Sequence, residues 1–331
     1  MNTNNNTLIC RIKAQLDVTP QYTISIPAYK KVNLLKDAVQ SCLNQTKKEF
    51  EILIIDDCGE GDEIYNYLLS INDRRISYFQ NTQNTGMVDN WNRCFIMAKT
   101  DWVILLHDDD LLFPDYIEKM DFLRKLYPEK DFFFIMGKRI KLCEQSVSFQ
   151  RSSDRAKVQK LQLLDVYFGN ATGTCCGSCF RRKCMQEIGG FDNSYYPTHD
   201  YALGVKAITY SNCVRVYDYP MSIGRDGENT TMRPGLLEQI LKKDLVIRRS
   251  ITRKITNKWG GVFLNYCTNY YHKIIAEVLT NVYDKSFNVS DYLLQQDIKS
   301  DIINRFVAVF FKKSVKLFSR IRTDIINMNS Y

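Results

Sequence analysis

Three consecutive carboxylates, at Asp108, Asp109 and Asp110, follow a short apolar run. The run from Trp102 to Leu106 contains no polar residue, which is typical of a strand covered on both faces. Three acids at one point repel one another, so this acidic triplet needs a positive neighbour. A hard divalent cation such as Mg²⁺ or Mn²⁺ suits carboxylate oxygens. The sequence therefore predicts a cation site at the end of a buried strand.

A second acidic pair, Asp56 and Asp57, also ends an apolar run. Around both groups, apolar runs alternate with stretches of helical periodicity. The predicted strands lie at Tyr22–Pro27, Phe50–Ile55, Arg75–Phe79, Trp102–Leu106 and Asp131–Ile135, and the predicted helices at Asn33–Gln45, Glu60–Ile71, Asp89–Ala98 and Pro114–Leu126. This alternation predicts an α/β fold with a mainly parallel central sheet. Because parallel sheets bind ligands at the carboxyl ends of their strands, we expect both acidic groups to meet there.

The composition is that of an ordinary globular protein, with 331 residues of which 45% are hydrophobic and 25% charged. We expect a polar N-terminal tail over residues 1–20, the α/β domain over 21–232 and a helical region over 233–331. No apolar run approaches the roughly 20 residues that a membrane span needs, and the start lacks the pattern of a signal peptide. A cytoplasmic location is the resulting expectation.

Several motifs that would indicate other chemistry are absent. The sequence has no Gly-rich dinucleotide loop, no P-loop and no serine nucleophile elbow. The three histidines are too few for a histidine-rich metal site. Of the 11 cysteines, Cys176 and Cys179 have a C-x2-C spacing, with Cys175 and Cys184 nearby, but no second pair follows at zinc-finger distance. Packed free thiols are therefore favoured over a zinc site.

The end of the chain carries half of the net charge of +8. Between Asp301 and Tyr331 there are six basic and two acidic residues, an excess of +4. A helix is predicted over Ile302–Ile326, with apolar residues interleaved among the basic ones. It could rest on an anionic membrane surface, or pack on the preceding domain with its basic face in water. We expect phosphates or anionic lipid, and no nucleic acid, as partners of this surface.

Six segments in order resemble the motifs of family 2 glycosyltransferases, over roughly residues 20–232. They are Ser25–Lys30, Ser41–Thr46, Glu51–Asp62, Asn84–Gly86 with Asn92, His107–Pro114, and Gly189–Asp192 with His199 and Asp200. Each segment is weak alone, whereas their order and spacing are specific. The resemblance implies a GT-A fold and a nucleotide-sugar donor. It also implies metal-dependent transfer of the sugar to an acceptor hydroxyl with inversion.

The resemblance assigns roles around the donor base and the acceptor. It implies that Asp57 accepts a hydrogen bond from the base, and that Pro27 and Tyr29 lie against the base and ribose. Asp200 is the expected general base for the acceptor hydroxyl, although a helix N-terminal acid without catalytic role is the alternative. His199 stands where the family commonly has Glu, and we expect no direct role for it.

The resemblance also implies how the cation and diphosphate are held. Asp110 is the expected direct ligand of Mn²⁺ or Mg²⁺, whereas Asp108 and Asp109 lie nearer the sugar and ribose. Where the family often has a metal-binding His, this chain has Asp226, which could ligate the cation. Arg225 could hold the diphosphate, or neutralise Asp226 instead. An ordinary polar loop is the alternative for both residues.

The acceptor and two competing functions stay open at this stage. Many family members extend glycans on lipid diphosphates, so a glycan or lipid-linked glycan acceptor and a place at the inner face of the cell membrane are expectations. A nucleotidyltransferase also places acids at strand ends, but it usually has a Gly-rich loop where this chain has Pro27–Lys31. A non-catalytic glycan- or lipid-binding module on the same fold could lose its acids, yet all of them are present.

Overall fold

The structure is a computed structural model of the chain. It describes residues 8–59, 61–143, 147–227, 235–255, 258–298 and 302–329. The strands are β1 (Leu8–Ile12), β2 (Tyr22–Ala28), β3 (Phe50–Asp56), β4 (Ile76–Asn81), β5 (Trp102–Leu105), β6 (Leu111–Leu112), β7 (Phe132–Ile135), β8 (Lys138–Lys141), β9 (Arg155–Lys160), β10 (Ser178–Arg181), β11 (Cys213–Tyr217), β12 (Ser222–Asp226) and β13 (Thr323–Asn327). The helices are α1 (Val32–Leu43), α2 (Glu63–Ile71), α3 (Met87–Met97), α4 (Tyr116–Leu126), α5 (Leu163–Tyr167), α6 (Arg182–Glu187), α7 (His199–Tyr210), α8 (Leu237–Ile255), α9 (Lys258–Tyr283), α10 (Val289–Gln295) and α11 (Ile302–Ile321).

The central sheet is mixed, in the strand order β1-β4-β3-β2-β5-β10-β7-β11-β9-β13. Strands β4, β3, β2 and β5 are parallel neighbours, so their carboxyl ends share one edge. The predicted α/β fold is confirmed, but the sheet is less parallel than we expected. Strand β10 runs antiparallel to both β5 and β7, and the outer strands β1, β9 and β13 also pair antiparallel. A second sheet of β6, β12 and β8 lies beyond the carboxyl edge of β5.

Alternate side chains of the central strands enter two separate apolar layers, as the period of a strand requires. Ile52 and Ile54 of β3 pack in one layer with α1, whereas Leu53 and Ile55 pack in the other with α3. Every residue of β5 is buried, which confirms the prediction that this strand is covered on both faces, and every residue of β2 and β3 is buried as well. The rigid strand ends can therefore position the polar residues that follow them.

The two ends of the chain differ from the sequence-based expectation. The predicted polar tail contributes strand β1, which pairs with β4 at the edge of the sheet. The predicted helix over Ile302–Ile326 ends at Ile321, and the chain then returns as β13 beside β9. Both strands are short edge strands whose sequences mix polar and apolar residues. Their pairing depends on tertiary contacts that local periodicity does not encode.

The C-terminal helices pack against the α/β domain through α7. Tyr201 and Val205 of α7 share an apolar cluster with Ile247 of α8 and Ala308 of α11. The buried guanidinium of Arg248 bonds both carboxylate oxygens of Asp244. Within the described residues, no helix is both long and apolar enough to cross a bilayer. The helical region therefore braces the helix that carries Asp200.

Candidate functional site

The acidic triplet lies in the turn after β5, at the carboxyl edge of the parallel strands. Asp110 is only 3% exposed, and its Oδ1 accepts a hydrogen bond from the backbone N–H of Arg225 at 2.8 Å. Its Oδ2 lies 3.5 Å from His107 Nδ1, and the thiol of Cys176 also bonds it. Burial raises the pKa of Asp110, but these hydrogen bonds outweigh burial and hold the pKa below its usual value. Asp110 is therefore a fixed, ionised carboxylate.

The loop after β2 closes over the other two acids of the triplet. The backbone N–H of Tyr29 donates to Asp108 Oδ2 at 3.0 Å, and Lys31 Nζ lies 2.7 Å from Asp109 Oδ2. Burial, followed by repulsion from Asp109, raises the pKa of Asp108 to about 7. The triplet thus carries more negative charge than its protein partners neutralise, which fits the predicted cation site.

His107 connects the triplet to an aromatic cluster. Its ring stacks on Trp91 with the centroids 4.5 Å apart. Burial lowers the pKa of His107, but the hydrogen bond and charge of Asp110, together with Asp109 and Asp108, raise it above its usual value overall. The ligand atoms of His107, Asp110 and Cys176 all lie within 4.8 Å of one another.

His199 is a packing residue of the same aromatic cluster. Its ring contacts Trp91 and Phe191 edge-on and stacks parallel to Tyr196. Neither ring nitrogen has a hydrogen-bond partner among the described residues. Burial and the nearby His107 lower the pKa of His199 to about 4, so the ring is neutral near pH 7.

Asp57 anchors the turn that precedes α3. Its Oδ1 accepts from Asn81 Nδ2 at 2.9 Å and from both the backbone N–H and the hydroxyl of Thr85, at 2.7 and 2.8 Å. Its Oδ2 accepts from the backbone N–H of Gly86 at 2.9 Å. Gly86 has φ +87°, a conformation that favours glycine. The Asn84–Gly86 motif thus forms the turn whose N–H groups bind the Asp57 carboxylate.

Pro27 and Tyr29, the residues predicted to lie against the base and ribose, occupy different environments. Pro27 is a buried residue of β2 and pairs with Ile55 of β3. Tyr29 follows the strand, and 41% of it is exposed. Of the two residues, Tyr29 is the exposed one at the carboxyl edge, and Lys30 Nζ lies 5.3 Å from the centroid of its ring.

Asp200 lies in the first turn of α7. Its Oδ1 accepts from the backbone N–H of Tyr201 at 2.7 Å, and its Oδ2 accepts from Asn170 Nδ2 at 3.2 Å. Burial raises the pKa of Asp200 to about 6, while the backbone hydrogen bond and the nearby charge of His107 oppose that rise. His107, which lies 3.5 Å from Asp110, and His199, which precedes Asp200, both contact the ring of Trp91, so the predicted cation ligand and the predicted base border one aromatic cluster.

Arg225 and Asp226 have partners that differ from the predicted ones. The Arg225 guanidinium is buried and bonds Asp37 Oδ2 at 2.7 Å, the backbone carbonyl of Leu34 at 3.2 Å and that of Asp109. The carboxylate of Asp226 forms an ion pair with Arg139 instead of joining the triplet. Because consecutive residues of a strand point to opposite faces, the two side chains leave β12 in opposite directions. Arg225 is thus a structural clamp on the acidic turn, and Asp110 lacks the predicted second carboxylate.

Three residues of the site were missed as site residues in the sequence. Lys31, in the loop after β2, and Trp91, on α3, carry no motif of their own, and tertiary packing brings them to Asp109 and His107. Cys176 was interpreted as a packed thiol, and it is indeed a free, buried thiol, but it also bonds Asp110. The next residue, Gly177, positions Cys176 beside Asp110. The N–H of Gly177 donates to the carbonyl of Leu105 at 2.6 Å, and Gly177 has φ +66°, a conformation that favours glycine.

Comparison with protein families and known proteins identifies related chains. The profile described as Glycosyl transferase family 2 matches residues 23–189. An uncharacterised glycosyltransferase of Rickettsia typhi is 27% identical over 250 residues, which cover 71% of this chain and 77% of the relative. One of Rickettsia prowazekii is 29% identical over 306 residues, covering 82% and 94%. The putative colanic acid biosynthesis glycosyl transferase WcaA of Escherichia coli K12 is 29% identical over 92 residues, covering 28% and 33%.

Solved structures share the fold at low sequence identity. S. aureus TarS 1–349 in complex with UDP-GlcNAc matches with a TM-score of 0.57 at 12% identity, covering 89% of this chain and 92% of that one. The mannosyltransferase PcManGT from Pyrobaculum calidifontis, in complex with GDP-Man and Mn²⁺, matches with a TM-score of 0.51 at 11% identity, covering 88% and 84%. At this identity the similarity shows a GT-A fold and nothing about substrates.

Proposed function

The chain belongs to glycosyl transferase family 2, and from that premise we propose that it transfers a sugar from a nucleotide-diphosphate donor to an acceptor hydroxyl, with inversion and with the help of a divalent cation. The observation that carries this proposal is the arrangement around the acidic triplet. Asp110 is fixed and ionised, the loop from Tyr29 to Lys31 lies over Asp108 and Asp109, and Trp91 contacts both His107 and His199, the residue before Asp200.

The donor side is formed by the loop after β2 and by the end of β3. We propose that the exposed ring of Tyr29 lies against the base and ribose, with Pro27 as the rigid end of the strand beneath it. Asp57 Oδ2 accepts one hydrogen bond among the described residues, and a carboxylate oxygen has two lone pairs. A base N–H could donate to the second lone pair while the Thr85–Gly86 turn stays intact.

The residues present fit a hard divalent cation, since the triplet supplies carboxylate oxygens with an excess of negative charge. Asp110 would hold Mn²⁺ or Mg²⁺, and the ion would stabilise the negative charge that develops on the leaving diphosphate. We propose that Asp108 and Asp109 lie nearer the sugar and ribose of the donor. Asp226 and the Arg225 guanidinium are not part of the proposed donor site, because they pair with Arg139 and Asp37.

Asp200 is the proposed general base. Transfer with inversion is a single displacement, so one group must take the proton from the acceptor oxygen as that oxygen attacks the anomeric carbon. The pKa of Asp200, raised to about 6, makes the carboxylate a better proton acceptor than an exposed Asp and leaves it ionised near pH 7. Asn170 and the Tyr201 N–H hold its two oxygens in place.

Named relatives and neighbours suggest the classes of donor and acceptor. The neighbouring structures contain UDP-GlcNAc and GDP-Man, so a UDP- or GDP-sugar is the proposed donor. One relative is named for colanic acid biosynthesis, which supports a glycan or lipid-linked glycan acceptor in polysaccharide or glycoconjugate assembly at the inner face of the cell membrane. The family match gives no support to a nucleotidyltransferase, and the complete set of acids gives none to a non-catalytic module.

The proposal is tested by incubating the protein with single UDP- and GDP-sugars, Mn²⁺ and candidate glycan acceptors, and measuring release of nucleoside diphosphate. We expect release with one donor class, dependent on Mn²⁺ and lost in Asp200→Asn. Release of pyrophosphate from a nucleoside triphosphate and a sugar phosphate would instead identify a nucleotidyltransferase. An absence of diphosphate release from every donor and acceptor would count against the proposed reaction.

A further inference from the structure

Helix α11 exposes a stripe of large apolar side chains opposite its buried face. Ala308 and Val315 are buried on one side of the helix. On the opposite side, four large apolar residues recur at helical spacing with most of their surface exposed. They are Phe306 (71% exposed), Phe310 (74%), Leu317 (59%) and Ile321 (77%), which we call the α11 stripe. At 100° per residue, the four positions fall within about 60° of one another around the helix axis.

A row of cations runs beside the α11 stripe. Lys313, Lys316 and Arg320 are exposed beside the stripe, whereas Lys312 lies nearer the buried side, with its Nζ 5.2 Å from the ring centroid of Tyr271. None of these three beside the stripe pairs with a carboxylate in the part of the chain that the structure describes. Residues 306–322 contain no Asp or Glu. The exposed surface of α11 therefore combines apolar bulk with uncompensated positive charge.

The helix is held firmly behind this surface. Phe311 packs against Phe168 and Phe263, and the backbone carbonyl of Ala308 accepts a hydrogen bond from the Tyr271 hydroxyl at 2.9 Å. At the end of the helix, Arg322 forms an ion pair with Asp165 at 2.9 Å, and β13 then joins the central sheet. Burying the α11 stripe against the rest of the described chain would break these contacts, so its partner must come from outside.

We propose that the α11 stripe and its basic row form a docking surface for a membrane containing anionic phospholipid. A helix with aromatic and aliphatic residues on one face and Lys and Arg beside them lies in the interface of an anionic bilayer. The negative surface attracts the cations, and the apolar side chains enter the boundary between headgroups and acyl chains. Charge complementarity favours this partner over a second copy of the chain, whose α11 would bring a second set of cations into the same contact.

This inference does not rest on the transferase chemistry, since none of its residues lies in the acidic triplet or near Asp200. The two proposals can therefore fail separately. A protein that releases nucleoside diphosphate but does not bind vesicles would retain the proposed function and lose the docking surface.

The experiment is co-sedimentation of the full-length protein with vesicles of phosphatidylcholine, alone and with phosphatidylglycerol added. We expect binding only to the vesicles that contain phosphatidylglycerol, and binding that weakens with added salt. Phe306→Ser combined with Phe310→Ser should abolish it. Lys313→Gln combined with Lys316→Gln should weaken it by roughly fivefold for each lysine neutralised. The matched control is Leu294→Ser on α10, an apolar residue that is 80% exposed away from the stripe, and it should bind normally.

Point substitutions are used instead of a deletion of α11, because a deletion that also removed β13 would disturb the central sheet. The folding of each variant is checked by its melting temperature and by nucleotide binding. Equal binding by the Phe306→Ser/Phe310→Ser variant and the wild type would overturn the proposal, as would failure of the intact protein to bind anionic vesicles. If sedimentation velocity shows a dimer that the same double variant converts to a monomer while vesicles do not bind, the stripe is an interface between two copies and the membrane proposal is wrong.

Discussion

Lys31 and Asp109 form an ion pair across 78 residues of sequence, with Lys31 Nζ 2.7 Å from Asp109 Oδ2. The ammonium group therefore lies at the mouth of the proposed cation site. It neutralises one carboxylate of the triplet, and it repels any divalent ion that binds beside it. The pair thus links the loop after β2 to the charge of the acidic turn.

This relationship predicts the effect of replacing the lysine. Lys31→Met should tighten Mn²⁺ binding in the absence of nucleotide by roughly tenfold, equivalent to about 1.4 kcal/mol, because one repelling charge is removed. Lys31→Arg keeps the charge and should bind Mn²⁺ as the wild type does. The measurement is a titration followed by calorimetry or electron paramagnetic resonance. Weaker Mn²⁺ binding by Lys31→Met would contradict this interpretation of the ion pair.

Asp200→Asn should lower kcat by at least about 100-fold while leaving donor affinity unchanged, since the amide cannot take the acceptor's proton. In the wild type, activity should rise with pH through about 6, because Asp200 must be deprotonated to act and its pKa is raised to about 6 by burial. The checks are steady-state kinetics and a pH profile.

Asp192→Asn, which alters a cap of the adjacent turn, is the matched control and should stay active. Near-normal turnover in Asp200→Asn would exclude Asp200 as the base.

Because the His199 ring is buried in its neutral form, we expect the folded protein to lose stability in acid. Its pKa is about 4 in the folded protein, lowered chiefly by burial, against about 6.5 for an unfolded histidine. Its contribution to stability is therefore complete above pH 6.5 and is lost as the pH falls toward 4. His199→Phe should reduce the difference in free energy of unfolding between pH 7 and pH 4.5 by about 2 kcal/mol. Urea denaturation at the two pH values measures this. An unchanged difference would show that burial of the neutral ring does not set the acid limit.

Asp57 should stabilise the folded protein even when no nucleotide-sugar is bound. In Asp57→Ala, the N–H groups of Asn81, Thr85 and Gly86 lose their hydrogen-bond acceptor. The free energy of unfolding should therefore fall by about 3 kcal/mol. Asp62→Asn is the matched control on the same segment. It alters an exposed ion pair with Arg11 and should leave the free energy of unfolding almost unchanged. Equal stability of the two variants in denaturant titrations would contradict the anchoring role of Asp57.

Much of the fold follows from the sequence because its central strands are continuous apolar runs between amphipathic helices. Phe50–Ile55 and Trp102–Leu106 were predicted as buried strands, and the structure places them as β3 and β5. The edge strands β1 and β13 were not predicted. Strand β13 in particular follows α11 with only Arg322 between them, so the helical pattern gives no sign of where the helix ends.

The position of a residue was predictable where it follows a strand along the chain, as Asp57 and Asp110 do. It was not predictable where the partner comes from another element. The backbone N–H of Arg225 bonds Asp110, but the next residue, Asp226, pairs through its side chain with Arg139 of the neighbouring strand β8. The sequence does not show to which face of β12 each side chain points. The predicted metal role of Asp226 and the predicted diphosphate role of Arg225 therefore did not take these directions into account.

The central claim is that the acidic triplet holds a cation and a nucleoside diphosphate. The most direct test is the shift in melting temperature caused by UDP or GDP with Mn²⁺, compared among the wild type, Asp110→Asn and Asp226→Asn. We expect a shift of several degrees in the wild type, the same shift in Asp226→Asn and no shift in Asp110→Asn. The account would be contradicted by an absence of any shift in the wild type, or by an equal shift when Asp110 is replaced.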